Sequence, residues 1–274
     1  MQIQRRTVLL ALGLAACATS ARTSSNRSLA EVIARHTQAR GGAATLDAVR
    51  NTLNVAEITE PTFQILGRYI ASTEGRMRVD VFHNGQRAFS EGIDAAGAWN
   101  WESGGATPKD ASPTAAAALA HGVEFNLFGL HALPQRGHTV TLEGRELIAG
   151  IDYYKIKLQL ADGFETWRYI NPQTWMIDRA RDLRALHPDV DPTQVIIESE
   201  YSDFRAVDGV MTAFRWVQRN AATGETMQTG ILQRLDYNVG AEQLNCPRGA
   251  PVFGVYAQIN ASSSTHGPHA HTRR

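Results

Sequence analysis

Two periods divide the chain. Leu29, Val32, Ile33 and His36 recur at helical spacing, and Ser28-Leu29-Ala30-Glu31 ahead of them has the form of a capping box. Gly41-Gly42 ends that helix, and a short second one is expected from about Ala43 to Val49. After Asn51 the period falls to 2. Met77, Val79 and Val81 alternate with Arg76, Arg78 and Asp80. Tyr154, Ile156, Leu158 and Leu160 alternate with Lys155, Lys157 and Gln159. Ile231, Leu235, Tyr237 and Val239 alternate with Leu232, Arg234, Asp236 and Asn238, with Gln233 out of step. One wet face and one apolar face mark antiparallel strands. Turn signals separate them at His83-Asn84-Gly85, Ala161-Asp162-Gly163, Asn171-Pro172, Val207-Asp208-Gly209 and Thr223-Gly224. About ten or eleven strands are expected. One helical stretch interrupts them. Ser112-Pro113 is an N-cap with proline at the first helical position. An alanine-rich piece, Thr114 to Leu119, follows, and after Gly122 a second piece carries Val123, Phe125, Leu127, Phe128, Leu130 and Leu133. The order helix, strands, helices, strands predicts a mainly β (α+β) chain: one large antiparallel sheet with helices over its concave side.

The N-terminus follows another logic. Arg5 and Arg6 precede an uncharged run from Val8 to Ala16. A spanning helix needs roughly 20 apolar residues, so this run has the length of a signal-peptide core. Leu14-Ala15-Ala16-Cys17 resembles the lipobox of bacterial lipoproteins, in which cleavage leaves the cysteine first and its thiol is acylated. The reading is a signal peptide over residues 1–16, Cys17 as the lipid attachment site and a small, polar tether over 17–27. Two or three acyl chains hold a protein on a membrane surface where one barely does. Ala18 stands where an aspartate would favour inner-membrane retention, so the resemblance points to the outer membrane, facing the periplasm. Arg5-Arg6 also fits a twin-arginine export signal in part.

Composition removes other classes. Among 274 residues, 27 basic side chains balance 27 acidic ones, which offers no basic face to nucleic acid. With Cys17 acylated, Cys246 has no partner and reads as a small apolar residue. The tail, 251–274, ends in a polar run with His266, His269 and His271 and reads as disordered. Three such histidines make a poor metal site, and no metal or cofactor is expected.

Catalytic motifs are missing. There is no nucleophile elbow, H-E-x-x-H, phosphate loop or C-x-x-C. His187, Asp189 and Asp191 fall in a proline-containing link whose polar residues suit a turn. Glu198 and Glu200 share a strand face, as charges on a solvated face do. His36 reads as a packed histidine. The chain is therefore read as non-enzymatic. Its tryptophans are conspicuous: Trp99, Trp101, Trp167, Trp175 and Trp216 fall in predicted strand regions.

Four segments carry a resemblance. EVIARHTQARGGAATLDAVRN (31–51) resembles the opening of lipoprotein-sorting-like proteins, where a helix ends in A-x-GG and a short helix leads to the first strand. GIDAAGAWNWE (92–102) is similar to their G-x-D-G-x-x-x-W hairpin, with Ala96 at a usual glycine. Residues 146–181 are similar to a G-x-x-x-Y-x-x-x-(12–14)-Y-x-D-x-x-T-x-x-x-x-R segment, and YSDFRAVDGVMTAFRW (201–216) to Y-x-D-Y-R-x-V-D-G-V-x-x-P, with Ala213 at the proline. The similarity covers about residues 28–240. It implies a LolA/LolB-like domain over 28–250, an incomplete antiparallel β-barrel whose concave face is plugged by helices and whose interior holds acyl chains. It implies no catalytic residue. On this basis the expected ligand is a lipid or an acylated lipoprotein. The expected contacts are Phe125, Leu127, Phe128 and Leu130 from the helical stretch and Trp99, Trp101, Phe214 and Trp216 from the strands. The alternative is a non-enzymatic envelope scaffold or accessory subunit whose cavity is filled by its own side chains.

Overall fold

A computed structural model describes residues 27–188 and 191–240. Cys17, Cys246, Asp189, the signal, most of the tether and the histidine tail lie outside the described residues.

Helix α1 (Leu29–Ala39) begins as its sequence predicts: Ser28 Oγ accepts from the Glu31 amide at 3.2 Å. The reciprocal half of the capping box is not made. Glu31 instead pairs with Arg27 and Arg35, which lie four residues before and after it. Gly41 and Gly42, at φ +119° and +87°, end the helix. Gly41 admits no side chain, because a Cβ there would sit 2.1 Å from the carbonyl oxygen of Gly209. Helix α2 is one turn, Ala43–Asp47. Helix α3 spans Pro113–Leu127, with Ser112 Oγ accepting from the Ala115 amide. The break expected at Gly122 is absent. A Cβ there would meet Met77 Sδ at 2.6 Å, so the glycine lets helix and sheet approach and does not interrupt the helix.

The strands are β1 (Asn51–Glu60), β2 (Phe63–Ser72), β3 (Arg76–His83), β4 (Gln86–Asp94), β5 (Gly97–Glu102), β6 (Lys109–Asp110), β7 (Thr139–Ile148), β8 (Ile151–Gln159), β9 (Glu165–Ile170), β10 (Ile177–Arg184), β11 (Val195–Val207), β12 (Val210–Asn220) and β13 (Thr226–Tyr237). Among the described residues they form one antiparallel 13-stranded sheet, ordered 6-5-4-3-2-1-13-12-11-10-9-8-7. The two halves of the chain are meanders that meet where β1 pairs with β13. The ends, β6 and β7, do not pair with each other, so the barrel is incomplete. The extra strands over the expected ten or eleven include two-residue β6, too short to show a period.

Register explains Gln233. Val55 faces Arg234 and Ala56 faces Leu232, so Gln233 is a bulge. An extra residue turns the following side chains to the other face. The inner residues are thus Leu232, Leu235 and Tyr237, packed with Ala56, Ile58 and Phe214. Ile231, expected on the apolar face with Leu235, is instead 40% exposed on the outer one.

The helices cover the inner face in two places. Val32 of α1 packs with Tyr154, Ile156, Leu158 and Ile170 of β8 and β9, joined by Leu130 and Leu133. Leu119 of α3 packs on Val79 and Val81, while Val123 and Leu127 meet Ala71 and Leu46. The outer face of β7–β12 is a lattice of ion pairs: Arg181 bridges Glu146 and Glu198, and Arg179 bridges Glu198 and Glu200. The two glutamates of β11 are therefore matched by arginines of the neighbouring strand. No helix among the described residues is long and apolar enough to cross a membrane.

Candidate functional site: a cavity between helices and sheet

Between the two packed clusters the helices leave a cavity of about 830 Å³. Its floor is the inner face of the sheet: Thr52 and Asn54 of β1, Leu235 and Tyr237 of β13, Thr212 and Gln218 of β12, Tyr201 of β11, Asp182 of β10 and Arg168 of β9. One wall is the α3 stripe of Ala117, His121 and Phe125, and the other is the end of α1 with His36 and Arg40. Leu183 at the end of β10 and Ala185, Leu186 and Pro188 after it form part of the rim. Alanine and glycine on α3 leave room there; Phe125, Phe164, Met176 and Ile177 make much of the remainder apolar.

Several of the polar groups are held in pairs. Arg168 Nη1 lies 3.2 Å from Asp182 Oδ1, which also accepts from the Thr166 hydroxyl. The Arg168 guanidinium sits over Phe125, 4.6 Å from the ring centroid. His121 stacks on Phe164 at 4.3 Å, and its Nε2 is 2.6 Å from Asp162 Oδ2. Burial pushes the Asp162 carboxyl up, but the bonds from His121 and the Phe164 amide outweigh it and hold the group below its ordinary value. Thr212 Oγ1 and Tyr237 Oη are 2.8 Å apart, and burial raises the Tyr237 phenol. Gln218 Oε1 is buried without a hydrogen-bond partner.

His36 is packed as expected, 2% exposed, and it also lines the cavity. Its Nδ1 is 2.8 Å from the Trp175 carbonyl. A carbonyl only accepts, so Nδ1 carries the hydrogen and Nε2 is left as an acceptor. Burial lowers the imidazole pKa to about 4. Trp175, expected on a strand, stands in the turn between β9 and β10 at φ +63°. A bulky residue there is strained. Stacking on Tyr154 at 5.5 Å and Arg35 over the ring hold it in place.

The residues singled out in the sequence scatter. Phe125 lines the cavity. Leu127 and Leu130 are buried in the clusters on either side of it, and Phe128 packs against both with Arg136 over its ring. Phe214 and Trp216 share the inner face of β12 and pack against β1 and β13. Trp216 fills the space above Gly230, where a Cβ would fall 2.0 Å from its ring. Trp99 and Trp101 share a face as predicted. It is the opposite one to Ala98, which packs with the α3 cluster. Trp99 is 1% exposed and Trp101 carries Arg87 at 4.0 Å. Tyr201, Thr212 and Tyr237 were missed. Each has period-2 inward placement, which was the available signal. His187 lies 2.9 Å from Glu60 Oε1, and no cluster of three metal-ligating side chains occurs among the described residues.

The sequence matches no family model, and no curated protein matches it significantly. The fold does have solved counterparts. A LolA superfamily protein from Nitrosomonas europaea superposes with a TM-score of 0.54 at 12% identity, over 80% of this chain and 98% of that one. The chain has a LolA-like fold. A putative outer membrane lipoprotein-sorting protein domain from Vibrio parahaemolyticus gives 0.51 at 10% identity, over 78% and 95%. At these identities the likeness extends to the LolA-like architecture and no further.

Proposed function

We propose that this chain is a membrane-anchored lipoprotein of the bacterial envelope that binds a lipid or an acylated protein in its half-barrel. The cavity of about 830 Å³ carries the reading. Its size lies within the roughly 300–1,000 Å³ of small-molecule sites, and it combines an apolar lining with a few placed polar groups. The LolA-like fold, shared with a protein described as a lipoprotein-sorting domain, supports the same reading. Binding is by burial of apolar surface at about 0.8 kcal/mol per CH₂, with no covalent step. Cys17 carries the acyl anchor, residues 18–27 are the tether, and the outer membrane is the site of attachment. The role is lipid or lipoprotein trafficking or sensing.

Native mass spectrometry of the full chain, purified from envelope fractions in mild detergent, tests the cavity. Added mass that dissociates as a lipid or acylated peptide, and that is lost in Ala117→Trp while the variant stays folded, is the expected result. A bare chain that also fails to take up a fatty acid overturns the reading in favour of a self-sufficient scaffold. For the anchor, Cys17→Ser should move the protein from the membrane fraction to the soluble one.

A further inference from the structure

The cavity lining is electrically unbalanced. Among the described residues it holds three guanidinium groups, Arg40, Arg168 and Arg184, and one carboxylate, Asp182. Arg168 and Arg184 both lie near that carboxylate, at 3.2 and 3.8 Å. Arg40 has no share in it. Its Nε donates to the Met211 carbonyl at 3.0 Å, and among the described residues no carboxylate pairs with it. A guanidinium has five N–H donors and stays protonated at any physiological pH. A partly buried charge with no counter-ion in the protein is costly, and a bidentate oxyanion is the partner its planar fork fits.

The group is also fixed in advance. The Arg40 carbonyl accepts from the Met211 amide at 3.0 Å, so backbone and side chain are tied to the same residue of β12. Gly41 seats the end of α1 against Gly209 with no room for a Cβ. The hydroxyls of Thr212 and Tyr237 line the cavity with it; one donates to the other, which leaves the second with its hydrogen for an acceptor in the cavity.

The geometry points to a headgroup site: Arg40, with Thr212 and Tyr237, receives the carboxylate or phosphate of an anionic single-chain amphiphile, whose tail lies against Phe125 and Phe164. The inference rests on the lipid-binding reading of the cavity and names the ligand class within it.

The test uses the full chain carrying Cys17→Ser, so that its own acyl chains cannot compete, and displacement of a neutral apolar fluorophore. Hexadecanoate, hexadecanol, a 16-carbon lysophosphatidic acid and inorganic phosphate are the probes. The two anionic amphiphiles should bind at least about tenfold more tightly than the alcohol. Arg40→Gln should bring acid and alcohol within about twofold while leaving the alcohol unchanged, and Arg40→Lys should keep part of the preference. Equal affinity for acid and alcohol in the unaltered cavity overturns the headgroup site and leaves the lipid reading standing; that comparison needs no variant to fold. Equal weakening of acid and alcohol by Arg40→Gln also overturns it, because Arg40 is then structural. Inorganic phosphate that competes as well as hexadecanoate removes the tail from the proposal. No binding of any of the three 16-carbon amphiphiles overturns both readings together.

Discussion

Helix α3 does two different things along two neighbouring stripes. Ala115, Leu119, Val123 and Leu127 are buried against the sheet, where Leu119 meets Val79 and Val81 and leaves no room for a guest. Ala117, His121 and Phe125, on the adjacent stripe, face open space over strands whose inner residues are Arg168, Asp182, Tyr201 and Gln218. The same sheet is packed shut beneath one stripe and hollow beneath the other. The difference is one of side-chain volume and polarity. Leucine and valine interdigitate at native density. Alanine opposite an arginine–aspartate pair cannot close the gap, and the pair excludes apolar filling. One covering helix can therefore have a rigid plug and a binding space side by side beneath it.

Truncation should separate these regions most sharply. Ile156→Ala, at a site with 0% exposure in the packed part, should lower stability by about 2–5 kcal/mol. Phe125→Ala, on the cavity wall, should cost less than half as much, because solvent can enter the enlarged space. Urea unfolding of both variants measures this, and equal losses would mean that the cavity is closed in solution. The junction of α1 with the sheet comes next. Gly41→Ala adds a Cβ 2.1 Å from a backbone oxygen at a φ of +119°, and should cost at least about 3 kcal/mol, read by the same titration.

His36 sharpens the comparison through pH. Its folded pKa, about 4, lies below the ordinary 6.5, so the unfolded chain binds the proton first. Stability is complete above about 6.5 and falls as pH drops toward 4, by up to about 3 kcal/mol. His36→Gln should flatten that part of the profile; an unchanged slope between pH 7 and 5 would clear His36 of the effect. The outer face should respond least. Arg181 and Glu198 are 2.7 Å apart but partly solvated, so a double-mutant cycle should give a coupling below about 1 kcal/mol that shrinks with salt.

Periodicity carried the architecture further than it carried the site. The alternation in β3 and β8 is legible because a half-buried strand must present every second residue to the core. The stops at Gly41-Gly42 and the Ser112-Pro113 start are local chemistry. The site was less legible. Phe125, Leu127, Phe128 and Leu130 are alike in the sequence, yet Phe125 meets the cavity and the others meet packed protein. Which of two adjacent helical stripes faces open space depends on what stands opposite, and no local pattern contains that. Trp99 and Trp101 went to the outer face for the same reason: alternation says that they agree with each other but not which side the helices take.

The sequence alone determined the antiparallel strands, the helix caps, the sheet-and-helix order and the matched charges. These depend on steric preferences and on a two-residue repeat, which act over a few residues. Only the tertiary structure decided the bulge at Gln233 that turns Ile231 outward, the glycine at 122 that serves contact instead of a break, and the meeting of Arg40 with Met211, 171 residues away. Each of these is set by a partner on another strand. A hollow is likewise a property of the surfaces that fail to meet, so it has no sequence signature of its own.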